Sequence, residues 1–346
     1  MSDILLETVD LVKTFPIRYG LFGQHHLRLV AVDNVSLAIR KGETLGLVGE
    51  SGCGKTTLGL TIMRLYEPTS GSIIFDGTDL TRLQPGDVRK SRRQMQMIFQ
   101  DPLASLDPRM AVEEIIREAL DIHQEGTRQE RGEVVRRLLD VTGMPADAAQ
   151  RYPTEFSGGQ QQRIGIARAL ALQPKMLICD EPVSSLDVSV QAQILNLLRD
   201  LQQEFELTYI FISHNIAVTA FMSQRIGVMY LGRLVEIGAS REIVNGPLHP
   251  YTQALISAVP EPVPGQANER QPLSGDVPSP INRPSGCPFH PRCPWAQARC
   301  TTELPLLREL TPDHWAACHF AEPGKTLASS TPSAATMPAL GSISEG

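Results

Sequence analysis

Long hydrophobic runs are missing from this chain of 346 residues. A membrane-crossing helix needs about 18 to 20 consecutive apolar residues, and the densest stretches here, Thr208–Ser213 and Met176–Cys179, are strand-sized. A basic excess is missing too: 32 Lys and Arg face 38 Asp and Glu, for a net charge of −6. Surfaces that grip a phosphate backbone ordinarily leave a positive surplus, so nucleic acid is excluded as the main partner. The opening MSDILLETVD lacks the basic start and apolar block of a secretion signal, and the expectation is a protein that stays in the cytosol. In that reducing compartment its six cysteines are not expected to form a disulfide framework. What remains is ordinary for a globular protein, with 42% hydrophobic and 20% charged residues, and the length suggests about two domains.

Three zones divide the chain. Residues 1–258 alternate short apolar runs with helical patterns, which predicts α/β units around a largely parallel sheet. Thr44–Val48 reads as a strand leading into a glycine-rich turn, followed by a helix over 55–65. Ser72–Phe75 reads as a short strand before the turn pair Asp76-Gly77. Apolar spacings of three and four predict amphipathic helices at Ala111–Leu120 and Glu130–Val141. Met176–Cys179 and Tyr209–Ile212 are continuous apolar runs, as strands buried on both faces are, with a helix over 189–204 between them. The basic run Arg89–Arg93 reads as a solvated helix face rather than a lipid-facing patch. Residues 259–286 hold seven prolines and read as an extended connector. From Gly286 onward come four of the six cysteines and, beyond residue 321, a Ser/Thr/Ala/Pro tail expected to be disordered.

Gly49-Glu50-Ser51-Gly52-Cys53-Gly54-Lys55-Thr56 fits GxxxxGK followed by Ser or Thr, between a predicted strand and a predicted helix. The glycines let successive N–H groups curl around an anion, and the helix start adds partial positive charge. Lys55 can reach the β- and γ-phosphates, and the Thr56 hydroxyl can ligate Mg²⁺. The motif leaves ATPase, GTPase and kinase open. The strand ending at Cys179 runs into Asp180-Glu181. One carboxylate there can hold Mg²⁺ and the next can polarise an attacking water, which suggests hydrolysis more than transfer to a hydroxyl. Phe156-Ser157-Gly158-Gly159-Gln160 precedes a helical stretch and makes a second anion-binding helix start. Two such cradles in one chain suit a pair of chains, each offering Ser157 to the nucleotide held by the other's Lys55.

The segment 49–56, Gln100 in IFQDP, FSGGQ, LICDE, Ser184-Ser185-Leu186-Asp187 and Ser213-His214 occur in the order and spacing of ABC-transporter ATPases, and residues 4–258 resemble that family. The resemblance implies a P-loop α/β ATPase core, with a helical subdomain over about 101–170 that receives the membrane partner. It assigns ATP contacts to Phe15, Gly49–Thr56, Thr57, Gln100, Asp180 and His214. Phe15 is the adenine-stacking aromatic, with Tyr19 near enough to compete. Mg²⁺ falls to Thr56, Gln100 and Asp180. Glu181 is the catalytic carboxylate, acting with Lys55, Gln100 and the switch residue His214. Ser157, Gly158, Gly159, Gln160 and Asp187 face the partner's nucleotide. Asn215 stands where the family usually has Asp, and Ser185 where it usually has Ala; neither removes a catalytic group.

Cys287, Cys293, Cys300 and Cys318 lie within 32 residues at spacings of x5, x6 and x17. Such a group suggests a metal or iron–sulfur site more than disulfides. The lack of CxxC weakens a zinc ribbon, with His290, His314 and His319 as further zinc donors. Four thiolates suit a cubane cluster, and thiols packed without metal remain a third arrangement. The segments LHPYTQAL, PLSGDVPSP, GCPFHPRCPWA and AACH resemble the C-terminal extension of dipeptide/oligopeptide permease ATPases, in which such cysteines imply a 4Fe-4S cluster.

The two resemblances together imply a peripheral subunit on the cytoplasmic face of the membrane that powers import of di- or oligopeptides. Its partners would be a second ABC ATPase (a heterodimer in preference to a homodimer), two transmembrane permeases and an extracytoplasmic solute-binding protein. Nickel, glutathione or another small solute are alternative cargoes. A non-transport ABC ATPase acting on DNA or ribosomes, or a P-loop kinase, would be other classes; no coiled-coil insertion or second cassette supports the former.

Overall fold

The computed structural model describes residues 3–19, 25–258 and 275–325. Twelve strands occur among them: β1 (Ile4–Tyr19), β2 (His25–Arg40), β3 (Thr44–Val48), β4 (Ser70–Phe75), β5 (Thr78–Asp79), β6 (Met95–Ile98), β7 (Met176–Asp180), β8 (Thr208–Ser213), β9 (Arg225–Tyr230), β10 (Arg233–Ala239), β11 (Arg308–Thr311) and β12 (His314–Ala316). They form a four-stranded sheet, β2-β1-β4-β5, and an eight-stranded sheet, β11-β12-β10-β9-β3-β8-β7-β6.

The centre of the larger sheet is parallel, as the alternating sequence predicts. β3 pairs in parallel with both β8 and β9, β8 with β7, and β7 with β6. Every residue of β3, β7 and β8 is buried, which is why these strands are continuous apolar runs without alternation. Their register sets the site: Val48 lies opposite Ser213, and Asp180 opposite Ile212. The carboxyl ends of β3, β7 and β8 therefore share one edge.

The smaller sheet is antiparallel throughout and, apart from β4, lay outside the sequence reading. β1 and β2 pair with four register shifts between Ile4 and Thr14, and Asp10 and Asn34 adopt positive φ (46° and 49°). Bulges of this kind break the period-two alternation that marks a strand in sequence. The two sheets meet around Leu6, Val32, Ile39, Leu45, Leu58, Ile73 and Ile210, all fully buried in one cluster.

Helices Val112–His123 and Arg128–Val141 occur where the apolar spacing places them. The second begins in a capping box: Thr127 accepts from Glu130 N–H (3.3 Å), and Glu130 accepts from Thr127 N–H (2.6 Å). Ile115, Ile116, Leu120, Val135 and Leu138 pack with Ile164 and Ala167 of helix Gly158–Leu170 and with Tyr209 and Phe211 of β8. The basic run is not a simple solvated face. Arg92 is half-buried and donates to the carbonyls of Met63 (3.0 Å) and Arg64, closing the C-terminal end of helix Lys55–Ile62.

β12 adds the C-terminal extension to the edge of the larger sheet, with Glu236 opposite Ala316 and Ile237 opposite Trp315. One buried carboxylate fastens it. Glu236 is fully buried and accepts from His314 Nε2 (2.7 Å), Leu248 N–H (2.7 Å) and His249 N–H (2.9 Å). Three donors offset the desolvation of that carboxylate. His249 Nδ1 in turn accepts from Tyr251 N–H (3.1 Å) and caps helix Pro250–Ser257. Burial lowers the His249 pKa from its ordinary value to about 4. Between about pH 6.5 and 4 the unfolded chain binds a proton at this site that the folded chain refuses, so stability falls as pH drops through that window. The loss approaches about 3 kcal/mol. His249→Asn keeps a capping oxygen and removes the titration; its denaturation midpoint, measured from pH 7 to 4.5, should fall less steeply than wild type.

Candidate nucleotide site

The loop 49–54 leaves β3 and turns into helix Lys55–Ile62. Two glycines are required by close approach. A Cβ on Gly54 (φ 106°) would lie 2.1 Å from the Ala31 carbonyl, and one on Gly49 (φ 152°) 2.2 Å from that of Met229. The loop is thus wedged between two backbone segments, and Gly232 N–H donates to the Cys53 carbonyl (2.7 Å). Lys55 is 5% exposed, its ammonium donating to the carbonyls of Gly49 (2.7 Å) and Glu50 (3.1 Å). The free N–H groups at this helix start and the Lys55 ammonium concentrate positive potential at one point. Thr56 Oγ1 donates to Asp180 Oδ1 (3.0 Å), which places the two oxygens needed for a hard cation side by side. Burial, opposed by the Thr56 hydrogen bond, holds the Asp180 pKa above the ordinary carboxylate value.

Glu181 is the meeting point of the neighbouring strands. It accepts from Gln100 Nε2 (3.2 Å) and lies 3.1 Å from His214 Nδ1. Gln100 follows β6, Glu181 follows β7 and His214 follows β8, so three adjacent parallel strands deliver one polar group each. Glu181 itself has φ 47°, a left-handed conformation pinned by its N–H donating to Ile212 (2.9 Å). Such backbone strain costs on the order of 1–3 kcal/mol and persists where surrounding contacts enforce it.

A cavity of about 540 Å³ brings Phe15, Ser51, Gly52, Gly54, Lys55, Thr56, Thr57, Gln100, Glu181 and His214 together. Gly49, Glu50, Cys53 and Asp180 stand in the loop and strand behind it. Phe15 meets Tyr66 edge-on at 5.2 Å, with Lys13 Nζ 4.8 Å from its ring centroid. The Tyr19 side chain lies outside the described residues. Sequence reading missed the apolar wall opposite, formed by Leu29, Val30, Ala31, Leu231, Gly232 and Pro280. Leu29, Val30 and Ala31 lie within β2 and Pro280 in the proline-rich segment, where no motif marks them.

Ser157, Gly158, Gly159, Gln160 and Asp187 are not in this cavity. Ser157 caps helix Gly158–Leu170 through Gln160 N–H (3.4 Å), and Asp187 begins helix Val188–Phe205. A Cβ on Gly159 would meet Val190 Cγ1 at 2.5 Å, so the two helix starts pack together. Ser157 and Asp187 are exposed on that shared surface.

Cys287, Cys293, Cys300 and Cys318 line one small cavity with His290, His319 and Phe289. All are free thiols. Burial raises the Cys287 thiol to about 11 and that of Cys293 to about 12. Among the described residues no three Cys, His, Asp or Glu side chains are grouped so as to hold one metal ion. His314 is taken up by Glu236. The donor types suit a 4Fe-4S cluster, but their arrangement lends it no support.

Residues 32–184 match the ABC transporter family, and residues 235–300 match the oligopeptide/dipeptide transporter C-terminal region. The chain is 52% identical over 322 residues to the oligopeptide transport ATP-binding protein AppF of Bacillus subtilis, covering 92% of this chain and 98% of that one. It is 55% identical over 290 residues to a putative peptide import ATP-binding protein of Brucella ovis, covering 84% and 92%. Among solved structures, the dimeric ATP-binding cassette MJ0796 bound to ADP and Pi matches with a TM-score of 0.61 at 29% identity, over 68% of this chain and 99% of that one. CbiO1 from Clostridium perfringens, part of the transporter complex cbiONQ, matches with a TM-score of 0.60 at 27% identity, over 70% and 91%. The fold is that of a P-loop ABC ATPase. With Glu181 assigned as the base that takes a proton from water, Glu181→Gln is expected to lower steady-state ATP turnover by about 10²-fold or more while leaving nucleotide bound; phosphate release and a nucleotide-binding titration check the two halves.

Proposed function

The chain belongs to the ABC-transporter ATPases that carry the oligopeptide/dipeptide transporter C-terminal region, and on that premise we propose that it powers import of di- and oligopeptides. The observation that carries the reading is the union of both regions in one chain, aligned with 98% of an oligopeptide transport ATP-binding protein. Among the described residues no helix is long and apolar enough to cross a membrane. In this reading the chain acts from the cytoplasmic face, through two permease subunits fed by an extracytoplasmic binding protein.

In this reading the N–H groups of the loop 49–54 and the Lys55 ammonium hold the β- and γ-phosphates, and Phe15 faces the adenine. Thr56 and Asp180 would hold Mg²⁺, with Gln100 nearby; bound there, the ion offsets phosphate charge. Glu181 takes a proton from the attacking water while Gln100 and His214 hold its carboxylate in place. Water adds to the γ-phosphorus and ADP leaves. Ser157, the N–H groups of Gly158 and Gly159, Gln160 and Asp187 sit on the exposed surface that would close over a partner's nucleotide. The partner is a second, related ATPase in preference to another copy. Closure of that pair transmits to the permeases through the helical subdomain.

The test is uptake of a labelled dipeptide by cells lacking this chain. Wild type should restore uptake and Lys55→Ala should not. Uptake that never fell in the deletion strain, with other peptide permeases also removed, would overturn the peptide cargo and turn attention to nickel or glutathione. The Glu181→Gln chain, mixed with its partner ATPase and Mg-ATP, should elute as a dimer and return to monomers when ATP is removed.

A further inference from the structure

The C-terminal extension reaches back to the phosphate loop. Its short turn His290–Arg292 presents Arg292, whose guanidinium grips Glu50 with two hydrogen bonds, Nη1 to Oε2 at 2.7 Å and Nη2 to Oε1 at 3.0 Å. The Arg292 side chain is 5% exposed and that of Glu50 27%, so this forked ion pair is shielded from water on one side and is not a loose surface contact. Glu50 is the second residue of the loop, and it is held elsewhere too. Its N–H donates to Tyr251 Oη (2.8 Å), and its carbonyl accepts from Lys55 Nζ (3.1 Å). Tyr251 packs on Tyr230 and Phe289 with ring centroids 4.8 and 5.5 Å apart, and Arg292 lies 6.0 Å from the Tyr230 ring centroid. Tyr251 and Arg292 both lie in the C-terminal region, beyond the ABC match at 32–184.

Position 50 is a free position of the GxxxxGK pattern, and phosphate binding does not call for an acid there. A carboxylate beside the triphosphate would repel it unless its charge were cancelled. We propose that Arg292 is a positioning residue of the nucleotide site: through Glu50 it fixes the shape of the phosphate loop and cancels the one adverse charge in it, so the extension sets the affinity for ATP. The proposal rests on the nucleotide reading of the site and adds a residue 242 positions away in sequence.

The experiment measures binding of a fluorescent ATP analogue with Mg²⁺ to the full chain, with Lys55→Ala as the control. Arg292→Ala should raise the Kd roughly tenfold, the scale of losing a charge-assisted hydrogen-bonded pair. Arg292→Lys should raise it less, because an ammonium cancels the charge without supplying the fork. In turnover assays Arg292→Ala should raise KM and leave kcat within about twofold, since the loop binds substrate and transition state alike. The double variant Glu50→Gln with Arg292→Ala should bind better than Arg292→Ala alone, because the uncancelled acid is gone; a purely structural role for Arg292 predicts no such recovery. Unchanged affinity in Arg292→Ala, or no recovery in the double variant, overturns the proposal while Lys55→Ala still loses binding. If Arg292→Ala does not fold, Arg292→Lys is read in its place, and affinity equal to wild type there overturns it equally. Should Lys55→Ala bind as tightly as wild type, the nucleotide reading itself fails, and this proposal with it.

Discussion

The register of the parallel strands is the constraint on which the rest depends. β3, β8, β7 and β6 run in the same direction, with Val48 opposite Ser213, Asp180 opposite Ile212 and Ile98 opposite Cys179. Each strand therefore ends at nearly the same height, and whatever follows it in sequence arrives at the same place. The phosphate loop, the Asp180–Glu181 pair, Gln100 and His214 are separated by up to about 160 residues yet occupy one crevice, as ligand sites in open parallel sheets do. A slip of one residue in a single strand would turn its buried side chains to the other face of the sheet and displace its contribution to the site. β3, β7 and β8 are buried on both faces, so a slip would also mismatch side-chain shapes against both covering layers.

A second level of organisation is polar. Glu236 gathers three donors from β12 and the segment at 248–249, and Asp33 is shared by Arg233 and Arg283. Glu50 is gripped by Arg292. Each is a carboxylate of the core paired with groups from later in the chain. Buried pairs of this kind contribute little net stability compared with apolar packing, but breaking one side leaves a costly unpaired charge. They fix where the extension sits and, by way of residue 50, make its position matter to the loop that holds phosphate.

The sequence made the centre of this arrangement legible because strands buried on both faces are plain apolar runs, and the groups at their ends stand next to them in the chain. Glu181 and His214 follow directly on a strand and Gln100 two residues after one, and the glycine loop carries its own spacing. The long strands β1 and β2 were illegible because their bulges scramble the alternation. Phe15, on one of them, was found by resemblance and not by pattern. Arg92 read as solvent-facing because a run of basic residues gives no hint that one of them caps a helix from another segment. Arg292 was hidden among cysteines that drew attention to metal chemistry, and only the three-dimensional return of the chain joins it to Glu50.

The C-terminal hairpin also changes what kind of border the large sheet has. β10 is almost wholly buried, with Leu234, Val235 and Ile237 along it, and β12 takes up its hydrogen bonds. The outermost strand is then β11, four residues long and reading Arg-Glu-Leu-Thr, with both charged residues exposed. Short, charged border strands resist pairing with strands of other molecules, whereas long apolar ones invite it. A chain ending before this hairpin would expose β10 to its neighbours, and the same extension that touches the phosphate loop thereby keeps a crowded population of these subunits from adhering edge to edge.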